Sequence, residues 1–177
     1  MTASTANLNL AEFIRDIPDF PQPGIVFKDI SPLLRDADAF KQAIDKLVAH
    51  YRALEFDYVV GIESRGFIVG APLAYHLGKG FLPIRKPGKL PYKTERIDYT
   101  LEYGSGSLEV HADALSHGHR ILIVDDLLAT GGTVAASRAL IERLGGHVVG
   151  AGFLVELAFL HGRDRLNGLD IHALLAY

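Results

Sequence analysis

The chain has 177 residues, 49% of them hydrophobic and 22% charged, with no cysteine and a formal net charge of −3. This length and balance predict one globular domain spanning 1–177, and they exclude a disulfide framework and a thiolate metal site. The mildly acidic balance argues against a nucleic-acid partner, and the sequence predicts neither a membrane span nor a secretion leader, so the expected setting is cytoplasmic.

Leu10 to Ile17 reads as a short helix. Pro18 to Pro32 carries four prolines and Gly24, and reads as an ordered extended segment. Asp36 to Leu54 is the clearest amphipathic helix, with Phe40, Ile44, Leu47, Val48, Tyr51 and Leu54 at helical spacing and Asp36 or Asp38 as its cap. Tyr58 to Ile62 is a short apolar strand. Arg65 to Leu77 is a helix stopped by Gly78, and Phe81 to Ile84 is the next strand.

Lys86 to Asp98 is basic and polar with no evident apolar period, so it reads as a long loop of the kind that often closes over a site. Tyr99 to Tyr103 and Ser107 to His111 flank Gly-Ser-Gly as a hairpin. His117 and His119 read as turn residues, without metal-ligand spacing. Ile121 to Val124 is a fully apolar strand, Thr133 to Leu144 a helix ended by Gly145-Gly146, and Val148 to Val155 another strand. Strands alternating with helices predict an α/β fold: a doubly wound, mainly parallel sheet with helices on both faces.

The informative stretch is Ile121 to Gly145, ILIVDDLLATGGTVAASRALIERLG. A buried strand ends in Asp125 and Asp126. A short glycine-bearing loop follows, with Thr130 and Thr133 at hand, and then a helix begins. Exposed N–H groups and the dipole at a helix start favour an anion, and glycine lets the backbone approach it closely. Carboxylates suit a vicinal diol and can stabilise positive charge on a sugar ring. A ribose 5-phosphate fits both demands. A purely structural strand–loop–helix, with Asp126 as a turn residue, is the plainer alternative. The stretch lacks both the Gly-Lys-Ser/Thr of nucleotide kinases and the Gly-x-Gly-x-x-Gly of dinucleotide folds.

ILIVDDLLATGGT, at 121–133, resembles the phosphoribosyl-pyrophosphate signature of the type I phosphoribosyltransferases. Four more segments resemble the adenine branch of that family in order and spacing: FPQPGIVFKDISPLL (20–34), GIESRGFIVG (61–70), IRKPGKLP (84–91) and LEYGSGSLEVHADAL (101–115). The resemblance runs from about Phe13 to near the end of the chain. It implies a base-binding hood over 1–35, a catalytic core over 36–177, and a flexible loop and hairpin over the site.

The resemblance also implies roles. Asp125 and Asp126 would hold the ribose hydroxyls, and Ala129, Thr130, Gly131, Gly132 and Thr133 the 5-phosphate. Phe27 would stack on adenine and the Val26 backbone would read its edge, with Lys28 beside them where many family members carry Arg. Arg65, Arg85, Lys86 and Lys89 would serve the pyrophosphate. The Glu63–Ser64 bond matches a position that is often cis. Glu102 would handle the proton at the purine, with Tyr103 supporting the same lid. Mg²⁺ would be held mainly through substrate oxygens and water, without a protein cage. The implied activity joins adenine to phosphoribosyl pyrophosphate, giving AMP and pyrophosphate, in a homodimer. The rival readings are a phosphoribosyltransferase for another base and a non-catalytic nucleotide sensor on the same fold.

Overall fold

The computed structural model describes residues 7–100 and 105–177. The chain forms two compact units, residues 1–46 and 47–177, and the division falls within one helix, α2 (Ala37–Tyr51).

In the first unit, Leu10–Phe13 is a single 3₁₀ turn rather than the expected helix to Ile17. The chain then extends as β1 (Arg15–Pro18). The reason is its partner, β2 (Val26–Asp29), which pairs antiparallel so that Arg15 faces Asp29 and Asp16 faces Lys28. Both cross-strand pairs are ionic, at 2.6 Å each. The Ser31 side chain and backbone N–H, with the Arg15 guanidinium, hold the Asp29 carboxyl down to about 2. Pro32, expected in extended chain, sits instead in the first turn of α1 (Ser31–Arg35), where its missing N–H costs nothing. Asp36 is the cap of α2, accepting the Ala39 N–H at 2.9 Å. The Gln42 amide on α2 clasps both backbone groups of Leu8 at 2.8 Å.

The second unit is a five-stranded parallel sheet in the order β4-β3-β7-β8-β9. Its strands are β3 (Tyr58–Ile62), β4 (Gly80–Ile84), β7 (Arg120–Leu128), β8 (His147–Glu156) and β9 (Asp170–Ala176). Helix α3 (Arg65–Leu77) joins β3 to β4, and α4 (Gly132–Arg143) joins β7 to β8. The two crossovers leave in opposite directions. With the right-handed crossover that parallel strands take, this places α3 and α4 on opposite faces, as the sequence predicts. Gly78, at φ +64°, ends α3 as expected. The core gathers Val60, Ile62, Ile121, Ile123, Leu140, Ile141 and Phe153.

Within this unit, β5 and β9 also depart from expectation. Thr94 to Asp98 is not loop: it belongs to β5 (Thr94–Thr100), paired along its length with β6 (Ser105–His111). Only Ile97 and Tyr99 in β5 are apolar and pack on the core, so the alternation is too sparse to read without the partner strand. β9, unforeseen, adds DIHALLA to the edge beside β8. Among the described residues no helix is long and apolar enough to cross a membrane.

Candidate active site

The strand that carries the two acids is longer than its apolar run. β7 continues to Leu128 because Leu127 and Leu128 keep pairing with Val155 and Glu156 of β8. On its other side β3 pairs with β7 only as far as Gly61 opposite Val124. Asp125 and Asp126 therefore project where the sheet opens, between helices that diverge to opposite faces. That position is the switch point at which open α/β sheets bind ligands.

Two adjoining cavities lie there, of about 680 and 360 Å³. They share Arg65, Asp125, Asp126 and Thr133. The smaller is walled by Ala129, Thr130, Gly131 and Gly132, the loop before α4. Gly131 takes φ +78° at the helix N-cap, which few other residues adopt. The loop thus presents backbone N–H groups at the start of a three-turn helix, the arrangement that suits a phosphate. The larger cavity is bordered by Glu63, Ser64, Lys86, Tyr99, Ser107 and Leu108, among others. The Tyr99 hydroxyl lies 3.4 Å from Thr133 Oγ1 and links the hairpin to the loop.

Arg65, at the first turn of α3, reaches Asp126 at 2.7 Å and is half exposed, whereas the Asp126 side chain is 7% exposed. Close contact of α3 with β7 depends on Gly66, since a Cβ there would stand 2.7 Å from the Val124 carbonyl oxygen and 2.9 Å from Asp125 Oδ1. Burial is the main influence on both carboxyls and pushes them above the usual range. For Asp125 the neighbouring Asp126 charge adds to it, and the Asp126 N–H, donating at 2.9 Å, only partly opposes it. For Asp126 the Arg65 charge is the main opposing influence. At both carboxyls burial outweighs the donors present, so further donors such as sugar hydroxyls are welcome there.

The basic segment is organised by two acids, Glu63 and Glu109. Burial alone would raise Glu63, but the Lys86 N–H, Arg85 and Lys89 together hold its carboxyl below the usual range. Glu63 Oε2 accepts from Lys86 N–H at 3.0 Å and Arg85 Nε at 3.2 Å. Buried Glu109 accepts the Gly88 N–H at 3.1 Å. Lys86 lines the larger cavity, whereas Arg85 is turned to Glu63 and to the Lys89 carbonyl, and neither Arg85 nor Lys89 borders it. In the sequence Glu63 is marked by the Glu63–Ser64 position two residues before Arg65, but not as a partner of the basic segment, while Glu109 is marked only by its place in β6. The Glu63–Ser64 bond is cis. Val26, Phe27 and Lys28 lie on β2 of the other unit, with Phe27 edge-on to Phe20 at 5.2 Å. Glu102 and Tyr103 lie outside the described residues.

A phosphoribosyl transferase domain matches residues 34–167. The chain is 58% identical to the adenine phosphoribosyltransferase of Thermotoga maritima over 170 residues, 96% of this chain and 98% of that protein. The chain belongs to the adenine phosphoribosyltransferase family. Solved members superpose closely. The Thermoanaerobacter pseudethanolicus adenine phosphoribosyltransferase gives a TM-score of 0.92 at 54% identity, covering 95% of this chain and 98% of that one. The Saccharomyces cerevisiae adenine phosphoribosyltransferase, solved with an imino-altritol bisphosphate and adenine, gives 0.88 at 40%, covering 94% and 96%. The family match spans the β3–α3 and β7–α4 turns that build both cavities.

Proposed function

We propose that this chain transfers the phosphoribosyl group of phosphoribosyl pyrophosphate to adenine, giving AMP and pyrophosphate. The observation that carries the reading is the Asp125–Asp126 pair, steadied by Arg65, directly beside the glycine loop 129–133 at the sheet's switch point. Adenine attacks the anomeric carbon through N9 with its ring proton on N7, the bond to the pyrophosphate oxygen breaks, and the N7 proton passes to Glu102 and on to water. Asp125 and Asp126 hold the ribose hydroxyls and offset the oxocarbenium-like charge. The loop 129–133 holds the 5-phosphate. Arg65 and Lys86, which both border the larger cavity, receive the pyrophosphate. Arg85 and Lys89 support the same segment. Glu102 manages the proton at purine N7, and Tyr103 supports it.

Base selection rests on β2. A two-stranded ribbon leaves alternate backbone groups facing away from its partner, which suits reading a purine edge at Val26. Phe27 stacks on the ring, and Lys28 is steadied by Asp16. Among the described residues no three His, Asp or Glu side chains are placed to hold a metal. Mg²⁺ would come in on the pyrophosphate and ribose oxygens of the substrate and on water, and would neutralise the leaving pyrophosphate. The same reading includes a homodimer in the cytoplasm. Exposed Ile68 and Tyr75 on α3 support association.

The test is incubation with adenine, phosphoribosyl pyrophosphate and Mg²⁺, then with hypoxanthine, guanine, xanthine and orotate in turn. AMP formed from adenine in preference to all others is expected. Ligand binding with no turnover on any base favours the sensor reading instead. In the same assay Phe27→Ala should raise the adenine KM by the equivalent of roughly 1–3 kcal/mol of stacking. An unchanged KM would make Phe27 a packing residue only.

A further inference from the structure

We propose that Gly162 is a positioning residue for the anion loop: its backbone lies against Ala129 and Gly131 and sets where their N–H groups stand. The inference rests on the reading of 129–133 as the 5-phosphate site. Nothing in the sequence marks Gly162, which sits in the polar turn HGRDR some thirty residues after the loop.

The two segments cross backbone against backbone. A Cβ on Gly162 would lie 2.2 Å from the Ala129 carbonyl oxygen and 3.1 Å from the Gly131 nitrogen. A Cβ on Gly131 would lie 2.4 Å from the Gly162 carbonyl oxygen. No side chain fits from either direction. Both obstacles are main chain, so they yield only if the loop itself moves. Gly131 has a second reason to be glycine in its positive φ, but Gly162 has no such φ and is explained by the crossing alone.

The turn that carries Gly162 is anchored on several sides. Before it, the Leu157 N–H donates to the Leu128 carbonyl at 2.9 Å, just ahead of the loop. After it, Arg163 forks onto Glu156 of β8 at 2.7 and 2.6 Å and donates to the Ile171 carbonyl of β9 at 3.1 Å. Leu166 is fully buried in the core. Arg138 of α4 donates to the Asn167 carbonyl at 3.0 Å. The anion loop is thus pressed between a turn fixed to the last two strands and the helix that begins at Gly132. Misplacing a phosphate cradle by a fraction of an ångström weakens every contact to the phosphate together.

The experiment compares wild type, Gly162→Ala and Arg163→Lys by steady-state kinetics and by direct binding of ribose 5-phosphate and of pyrophosphate. Gly162→Ala should raise the phosphoribosyl pyrophosphate KM and the ribose 5-phosphate Kd by on the order of tenfold or more, with adenine KM and pyrophosphate Kd within about twofold of wild type. Arg163→Lys keeps the charge but loses the fork, and adds no atom beneath the loop; it should shift the same two constants the same way by less. Should Gly162→Ala fail to fold, Arg163→Lys alone decides. An unchanged ribose 5-phosphate Kd in a folded variant overturns the proposal, as does an equal loss for all ligands together with a lower Tm. Absence of ribose 5-phosphate binding in the wild type would instead overturn the phosphate reading of the loop itself.

Discussion

Asp125 ends in a setting that favours its neutral form, and its neighbours only partly relieve it. A carboxyl whose folded pKa lies above its unfolded one keeps its proton more firmly when folded. Ionising it then subtracts from stability, increasingly as the pH rises from the unfolded carboxylate range through the raised value. Asp125→Asn removes that cost and keeps an oxygen to accept the Asp126 N–H. Its Tm at neutral pH should rise, by about 2–4 °C for each kcal/mol relieved, while turnover falls. The Tm gain should disappear in acid, below the ordinary carboxylate range. Thermal scans across pH check it, and a lower neutral-pH Tm would mean that burial does not dominate at this carboxyl. Gly66 has the opposite character, since it costs nothing and cannot be replaced. Gly66→Ala drives α3 from β7 and takes Arg65 off Asp126, so kcat/KM for phosphoribosyl pyrophosphate should drop on the order of a hundredfold. Near-normal kcat/KM would show that the helix can shift without disturbing the pair.

At the level of elements, Glu63 to Arg65, Lys86 and the loop 129–133 follow the ends of parallel strands, the acid pair ends β7 itself, and the hairpin β5–β6 borders the larger cavity. Tyr51, at the end of α2, is fully buried and donates to the Ala151 carbonyl of β8 at 2.8 Å. Burial raises its phenol, so it stays a neutral donor across the physiological range. Tyr51→Phe leaves that carbonyl short of a partner and should cost about 1–3 kcal/mol in urea unfolding with kinetics unchanged. A kinetic defect of similar size would tie this edge to the site. Nearby, His50 stacks on His172 at 3.9 Å beside Asp170, joining α2 to the unforeseen edge strand β9. The hairpin β5–β6 gains its place by the bridge of Arg85 with Glu109, by the Tyr99 link to Thr133, and by packing Ile97 and Tyr99 against the core.

On the scale of the whole molecule, opposite crossovers open a crevice and the sequence fills it with acids on one strand and N–H donors on the next helix. If Mg²⁺ is carried by the substrate as proposed, a chelator should abolish turnover and leave the Tm of the free protein unchanged, by calorimetry with and without EDTA. A Tm that falls with chelator would reveal a resident ion and overturn that part of the reading.

The sequence by itself determined the alternation of strands and helices, the glycine that ends α3, the choice of Asp36 or Asp38 as cap of α2, and the acid pair with its glycine loop. These are local: apolar period, capping chemistry and conformational freedom act within a few residues. It also carried enough unbroken family pattern to place the chain among the adenine phosphoribosyltransferases. Tertiary structure alone decided the rest. β5 became a strand because β6 lies beside it, Arg15 to Pro18 extended because β2 supplies opposite charges, and Glu63 and Glu109 found the basic turn across the fold. Gly162 is a glycine because another backbone passes there. Each is a contact between residues distant in sequence, and a one-dimensional pattern holds no record of which segments meet.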